Sequence, residues 1–78
     1  MPTVQRIGRW RLHFYSDEGH EPPHVHVDTG EGECKFWLAP VRLARSQRVN
    51  PLDVRRIERA VLEHETALLE AWNEFFRS

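Results

Sequence analysis

Apolar and polar residues alternate along three stretches in the first half of the chain, at residues 10–15, 24–28 and 33–38. Alternation places successive side chains on opposite faces of a β-strand. Gly30 and Gly32 separate the second stretch from the third, a spacing typical of a hairpin turn. Residues 3–7 have the composition of a further short strand, whereas residues 41–44 fit either an edge strand or a helical turn. The pattern predicts a small antiparallel sheet of three to four strands within residues 3–45.

A helical periodicity replaces this alternation in the last third of the chain. Asn50, Pro51 and Asp53 form a strong helix start, because Asn caps a helix, Pro suits the first position and an acid favours the first turn. From there apolar residues and one histidine recur at positions 57, 61, 64, 68, 72 and 75, which is one face of an α-helix. We therefore predict a long C-terminal helix over about residues 51–76, packed on one face of the sheet. The fold class is α+β, in a single domain covering residues 1–78.

The predicted helix is longer than the sheet. Residues 51–76 would span about 39 Å as one helix, whereas strands of five or six residues span about 17–20 Å. One end overhangs the sheet unless the helix bends or breaks near residues 64–66. We expect the last turns to overhang and form a protein interface, the alternative being that they fold back over the sheet edge. The candidate interface residues are Leu68, Trp72, Phe75 and Phe76.

Sorting the strand residues by alternation gives two unlike faces. The apolar face, which the helix should cover, takes Trp10, Leu12, Phe14, Val25, Val27, Cys34, Phe36 and Leu38. The second face is predicted to be open to water or a partner, and takes Arg11, His13, Tyr15, His24, His26, Asp28, Glu33, Lys35 and Trp37. Antiparallel sheets commonly leave one polar face solvated. Three histidines on that face nevertheless make it the candidate functional surface.

His24 and His26 admit two kinds of chemistry. They are two residues apart on one strand, so they point the same way, with Cα atoms about 6.5 Å apart. As a pair of metal ligands they need a third, for which the candidates are His13, Asp28, Glu31 and His20. As acid and base, with His13 as a further candidate catalytic residue, they fit metal-independent RNase-type chemistry, because imidazole titrates near neutrality.

The RNase-type reading assigns roles to four more side chains. Arg11 or Lys35 would bind phosphate, and Tyr15 and Trp37 would stack on bases. These residues identify a surface without establishing that the protein is an enzyme. No cofactor is predicted.

Composition narrows the class of protein. The chain has 11 basic and 12 acidic residues and a formal net charge of −1, which is not the basic balance of a dedicated nucleic-acid binder. Its one cysteine, Cys34, cannot form an internal disulfide. No signal peptide and no apolar run of about 20 residues is present. These observations predict a cytoplasmic protein with no membrane partner.

Several segments resemble the bacterial family called domain of unknown function 4160. They are Met1-Pro2-Thr3-Val4 at the start, the signature Glu21-Pro22-Pro23-His24-Val25-His26-Val27, and Lys35-Phe36-Trp37-Leu38. The resemblance covers nearly the whole chain and supplies no catalytic residues. Genes of that family often neighbour another small gene, an arrangement resembling toxin–antitoxin modules, which implies a small protein partner.

Our first hypothesis is therefore a component of a toxin–antitoxin-like pair. Its helix end would bind the partner or a second copy in a homodimer, and its histidine-bearing face would be the active or RNA-facing surface. The alternatives are a non-catalytic protein- or nucleic-acid-binding module and a small metal-binding protein.

Overall fold

The computed structural model describes residues 3–77 and contains one five-stranded antiparallel sheet and two helices. The strands are β1 (Thr3–Ile7), β2 (Trp10–His13), β3 (His24–Asp28), β4 (Glu33–Leu38) and β5 (Val41–Gln47), and they lie side by side in chain order. The helices are α1 (Pro51–Glu63) and α2 (Glu65–Phe75). The α+β class is confirmed, but the strand number is five rather than three to four. The ambiguous segment at residues 41–44 belongs to β5, which pairs with β4 from Val41 to Gln47.

The hydrophobic core lies between the sheet and the two helices. The apolar face predicted from alternation supplies the sheet side of this core, with Leu12, Phe14, Val25 and Phe36 among its fully buried members. The helices supply Ile57, Val61, Leu68 and Trp72. Full burial of one such side chain stabilises the fold by about 1.5–3 kcal/mol relative to exposure. The periodicities of strand and helix therefore selected the residues that meet in the core.

The C-terminal helix is interrupted at His64. The backbone there leaves helical geometry, with φ −111° and ψ 16°. The imidazole Nδ1 of His64 donates to the carbonyl oxygen of Ala60 at 2.8 Å, and so competes for an acceptor that the helix backbone uses. At 1.5 Å per residue, α1 is about 20 Å long and α2 about 16 Å, so each fits the length of a strand. Within residues 3–77 no helix is long and apolar enough to span a membrane.

The end of α2 folds back onto the sheet instead of overhanging it. Leu68 and Trp72 are buried, and Phe75 is 37% exposed. The Phe14 ring contacts Trp72, Phe75 and Phe76, with centroid separations of 5.3, 5.7 and 6.2 Å. The expectation that this end forms an exposed cluster is therefore wrong for Leu68 and Trp72, because the break at His64 removes the overhang. A role in partner binding remains a prediction for the exposed part of Phe75.

Candidate functional site

The second face of the sheet is covered at its centre. After β2 the chain makes a 3₁₀ turn (Ser16–Glu18) and returns across the histidines before β3; we call residues 16–23 the strap. His24 and His26 have no exposed surface, and His13 is 3% exposed. The predicted open histidine face is therefore wrong at these three residues. Alternation gives the side to which a strand residue points, but it does not show whether a loop packs over that side.

Glu18 joins the two histidines of β3 to the strap. Its Oε1 atom lies 2.7 Å from Nε2 of His24 and 2.7 Å from Nε2 of His26. The other ring nitrogen of His24, Nδ1, donates to the carbonyl oxygen of Pro22 at 2.9 Å. Burial raises the pKa of Glu18, but the contacts with His24 and His26 outweigh it and hold that pKa below its ordinary value. We call Glu18, His24 and His26 the histidine–glutamate cluster.

A carboxylate also lies behind His26. Nδ1 of His26 is 2.8 Å from Oε2 of Glu33, but the approach is too oblique for a hydrogen bond, and this buried nitrogen has no other partner. The Tyr15 hydroxyl donates to the same Glu33 oxygen at 3.3 Å, and its ring packs edge-on against His26. Burial, followed by the charge of Glu33, raises the pKa of Tyr15. The phenol therefore stays protonated and serves as a hydrogen-bond donor.

His13 lies next to the cluster without joining it. Its ring stacks on His26 at a centroid separation of 5.7 Å, and its Nδ1 has no hydrogen-bond partner. Burial, reinforced by the neighbouring His26, lowers the pKa of His13. His13 is therefore a neutral packing neighbour, and the structure gives it no access to a substrate.

The cations predicted to bind phosphate are engaged within the chain. Lys35 donates to Oε1 of Glu21 in the strap at 2.7 Å, and its ammonium lies 4.7 Å from the ring centroid of Trp37. Arg11 pairs with Asp28 at 3.0 Å. The hydrogen bond from Lys35 lowers the pKa of Glu21, and the Gly30 amide, followed by Arg11, lowers the pKa of Asp28. Both ion pairs compete with an outside phosphate for these cations.

Unpaired positive charge is found instead on β5. From Arg42 to Gln47 every residue of this strand is exposed, and so is Arg48, which follows it. Arg42, Arg45 and Arg48 form no ion pair within residues 3–77. Arg42 lies opposite Trp37, and Arg45 opposite Lys35, so both arginines project from the face that bears the histidines. We call these three arginines and β5 the basic edge.

Sequence reasoning placed His24 and His26 together and missed their partner. The ligand-type atoms of Glu18, His24 and His26 lie within 4.8 Å of one another. None of the proposed third ligands, His13, Asp28, Glu31 and His20, belongs to this group. His20 lies in the same loop as Glu18, so the correct loop was among the candidates but the correct side chain was not. The sequence does contain a signal for this ligand: Glu18 is a carboxylate six residues before His24, in a loop that ends with Pro22 and Pro23 directly before β3.

Comparison with known proteins identifies the family and nothing beyond it. No curated protein and no solved structure matches the chain. A family model described as "Domain of unknown function (DUF4160)" matches residues 10–73, which include strands β2 to β5, all of α1 and most of α2. The chain belongs to this family of domains of unknown function, DUF4160.

Proposed function

We propose that the protein is a non-catalytic binding module, and that its basic edge pairs with an extended, acidic segment of a small partner protein. The observation that carries this proposal is a seven-residue strand at the end of the sheet, exposed along nearly its whole length and bearing unpaired arginines. An edge strand presents unpaired backbone N–H and C=O groups, which an incoming strand can bind.

The other edge of the sheet is less suited to this role. Strand β1 has five residues, and its Val4 and Ile7 side chains pack against the core. Strand β5 has seven residues, and helix α1 packs beside it without removing its exposure. A shallow depression of about 300 Å³ adjoins the start of β5 and is lined by Pro22, Pro23, Trp37, Ala39, Pro40 and Arg42. It is a suitable seat for one apolar side chain of the incoming segment.

The positive charge of the basic edge determines which kind of partner can pair with β5. A second copy of β5 would bring arginines against arginines, and like charges on neighbouring strands are destabilising. Lysine and arginine on an edge are a common defence against such self-association, and the same charges favour an acidic strand. Single-stranded RNA fits less well, because the strap covers the centre of the face on which bases would have to stack.

This proposal retains one part of the toxin–antitoxin hypothesis, the small protein partner. It drops the other part, because it assigns no catalytic role to the histidines. Acid–base chemistry on RNA would require the substrate to reach His24 and His26, whose side chains have no exposed surface. The proposal therefore favours the non-catalytic alternative, with the basic edge in place of the histidine face as the contact surface.

The test uses a library of twelve-residue peptides displayed on phage and selected against the purified protein. We expect the enriched peptides to carry acidic residues at alternate positions. The double variant Arg42→Glu, Arg45→Glu should weaken binding of the best peptide at least tenfold. The matched control is Arg6→Glu, Arg9→Glu, which makes the same charge change at exposed positions by the opposite edge and should leave the affinity within twofold.

A second measurement distinguishes strand addition from simple charge attraction. Methylating alternate backbone nitrogens of the best peptide removes the N–H groups that would donate hydrogen bonds to β5 and leaves the peptide's charge unchanged. If the peptide binds as an added strand, its binding should therefore be lost. Three outcomes would overturn the proposal: no acidic enrichment, equal loss in the two double variants, or full binding by the methylated peptide. Binding of a twelve-nucleotide single-stranded RNA through Arg42 and Arg45, with no peptide selected, would also overturn it.

A further inference from the structure

The histidine–glutamate cluster contains an electrostatic conflict when the protein holds neither a cation nor an extra proton there. The carbonyl oxygen of Pro22 can only accept a hydrogen bond, so Nδ1 of His24, at 2.9 Å, carries the proton. In a neutral ring Nε2 then bears a lone pair. That lone pair faces a carboxylate oxygen of Glu18 at 2.7 Å, and two acceptors at this distance repel each other.

His26 makes the same demand. Carboxylate oxygens of Glu18 and Glu33 lie 2.7 and 2.8 Å from its two ring nitrogens. Whichever nitrogen of a neutral His26 ring carries the proton, the other presents a lone pair to a carboxylate oxygen. Its Nδ1 already lacks a hydrogen-bond partner although the side chain has no exposed surface. A positive charge at the point where the two Nε2 atoms converge removes both conflicts, because it attracts the Nε2 lone pairs and leaves the proton of His26 on Nδ1, towards Glu33.

One divalent cation meets this requirement. The Nε2 atoms of His24 and His26 and the Oε1 atom of Glu18 lie within 4.8 Å of one another, and the two ring centroids are 5.2 Å apart, so one ion can reach all three ligand atoms. A single ion with two positive charges leaves both rings neutral and turns their Nε2 lone pairs, together with the Glu18 oxygen, into ligands.

The groups next to the Nδ1 atoms of His24 and His26 are also of the kind found around metal-binding histidines. Histidines that ligate metals usually donate their second N–H to a backbone carbonyl or a carboxylate, which fixes ring orientation and tautomer. Here Pro22 supplies the carbonyl behind His24, and Glu33 lies behind His26. Two imidazoles with one carboxylate suit zinc and the neighbouring first-row divalent ions.

We propose that Glu18, His24 and His26 bind one divalent transition-metal ion of the Zn²⁺ class, with Pro22 and Glu33 orienting the two histidines. Tetrahedral zinc has bonds of about 2.0–2.1 Å and ligand atoms about 3.4 Å apart. The Glu18 oxygen therefore moves roughly 0.7 Å away from each Nε2 atom, and the two Nε2 atoms, which lie within 4.8 Å of each other, adjust to the same spacing. The ion would tie the strap to β3, which is a structural role.

The experiment uses untagged protein stripped of metal with a chelator and titrated with Zn²⁺ and Co²⁺. Calorimetry should give one ion per chain, and Co²⁺ should produce visible ligand-field absorption. Loss of a residue that orients a metal ligand typically lowers metal affinity by roughly 10–100-fold, so Glu33→Gln should lower the Zn²⁺ affinity by that amount. His24→Gln and His26→Gln remove ligands and should each lower it further. His20→Gln is the matched control, since His20 is exposed in the same strap, and its affinity should stay within twofold.

A measurement on the unmutated protein avoids dependence on how the variants fold. Long-range ¹H–¹⁵N spectra resolve the two nitrogens of each imidazole, and Zn²⁺ should shift the Nε2 signals of His24 and His26. Failure to take up one ion per chain overturns the proposal. So does a response confined to His20 or His64, which indicates an adventitious site. Neither result bears on the basic edge, because that proposal uses none of these side chains.

Discussion

Removing the Glu18 carboxylate tests how the strap is held to the sheet. In metal-free protein, Glu18→Ala deletes the acceptor at 2.7 Å from Nε2 of the fully buried His26. Nε2 of His24 has no hydrogen bond to lose, because the proton of that neutral ring is on Nδ1. One buried polar group left without a partner costs about 1–3 kcal/mol. We expect the lower part of this range, about 1–2 kcal/mol, because the strap is at the surface and water can enter the vacated space. That is a measurable part of the roughly 5–15 kcal/mol that stabilises an ordinary domain.

Urea unfolding in the presence of a chelator, followed by tryptophan fluorescence, measures this loss. Asp17→Ala is the matched control, because Asp17 is the exposed neighbour of Glu18 in the same turn, and it should change the free energy of unfolding by less than about 0.5 kcal/mol. Glu18→Gln keeps one oxygen acceptor and should fall between the two. If Glu18→Ala costs no more than Asp17→Ala, the strap is not held by this carboxylate and the reasoning fails.

Three further predictions concern packing. Gly32→Ala should cost at least about 2 kcal/mol, because overpacking costs roughly 1–3 kcal/mol and the new Cβ would meet the Gln47 carbonyl oxygen at 2.1 Å. Gly19→Ala should cost less, because its Cβ would meet a side chain, that of Phe76, and equal losses in urea unfolding would contradict this. Leu68→Ala should cost about 2–5 kcal/mol and Phe75→Ala clearly less, since Leu68 is fully buried and Phe75 is 37% exposed; the reverse order would show that α2 is not docked as described. Burial raises the pKa of the Cys34 thiol, so it should react with a disulfide reagent at pH 8 only at the rate of unfolding, and immediate labelling of folded protein would exclude its burial.

The sequence predicted what depends on local pattern. Residues 24–28 and 33–38 were assigned as strands with the bounds that the structure has. Residues 41–44 fit a strand or a helical turn from the sequence alone, and β5 extends to Gln47, because the exposed arginines break the alternation and the extended form depends on pairing with β4. The break at His64 was foreseen as an alternative only. Periodicity places His64 on the apolar stripe and gives no indication that its ring bonds to the Ala60 carbonyl.

The candidate site was predicted in part for a related reason. Alternation correctly put His13, His24 and His26 on the same side of the sheet, since that follows from strand geometry alone. Their burial depends on the strap, a polar loop whose path is set by contacts with residues distant in the sequence. Nothing in the sequence distinguishes Glu18 and Glu21 from ordinary solvated acids. Their role is seen only in the structure, where Glu18 contacts two buried histidines and Glu21 accepts a hydrogen bond from Lys35.

The histidine–glutamate cluster and helix α2 are coupled through shared contacts. The His24 ring lies 4.9 Å from Trp72, a core residue of α2, and a Cβ at Gly19 would lie 2.6 Å from the Phe76 ring. Loosening the strap therefore removes packing from the end of α2 as well as from β3. Strand β5 itself is held by β4 and α1, and the strap reaches the basic edge through Pro22 and Pro23, which line the depression at the start of β5. Loss of the cluster should consequently weaken the docking of α2 and leave the part of peptide binding that depends on Arg42 and Arg45 intact, so the two proposed sites can be tested independently in the same protein.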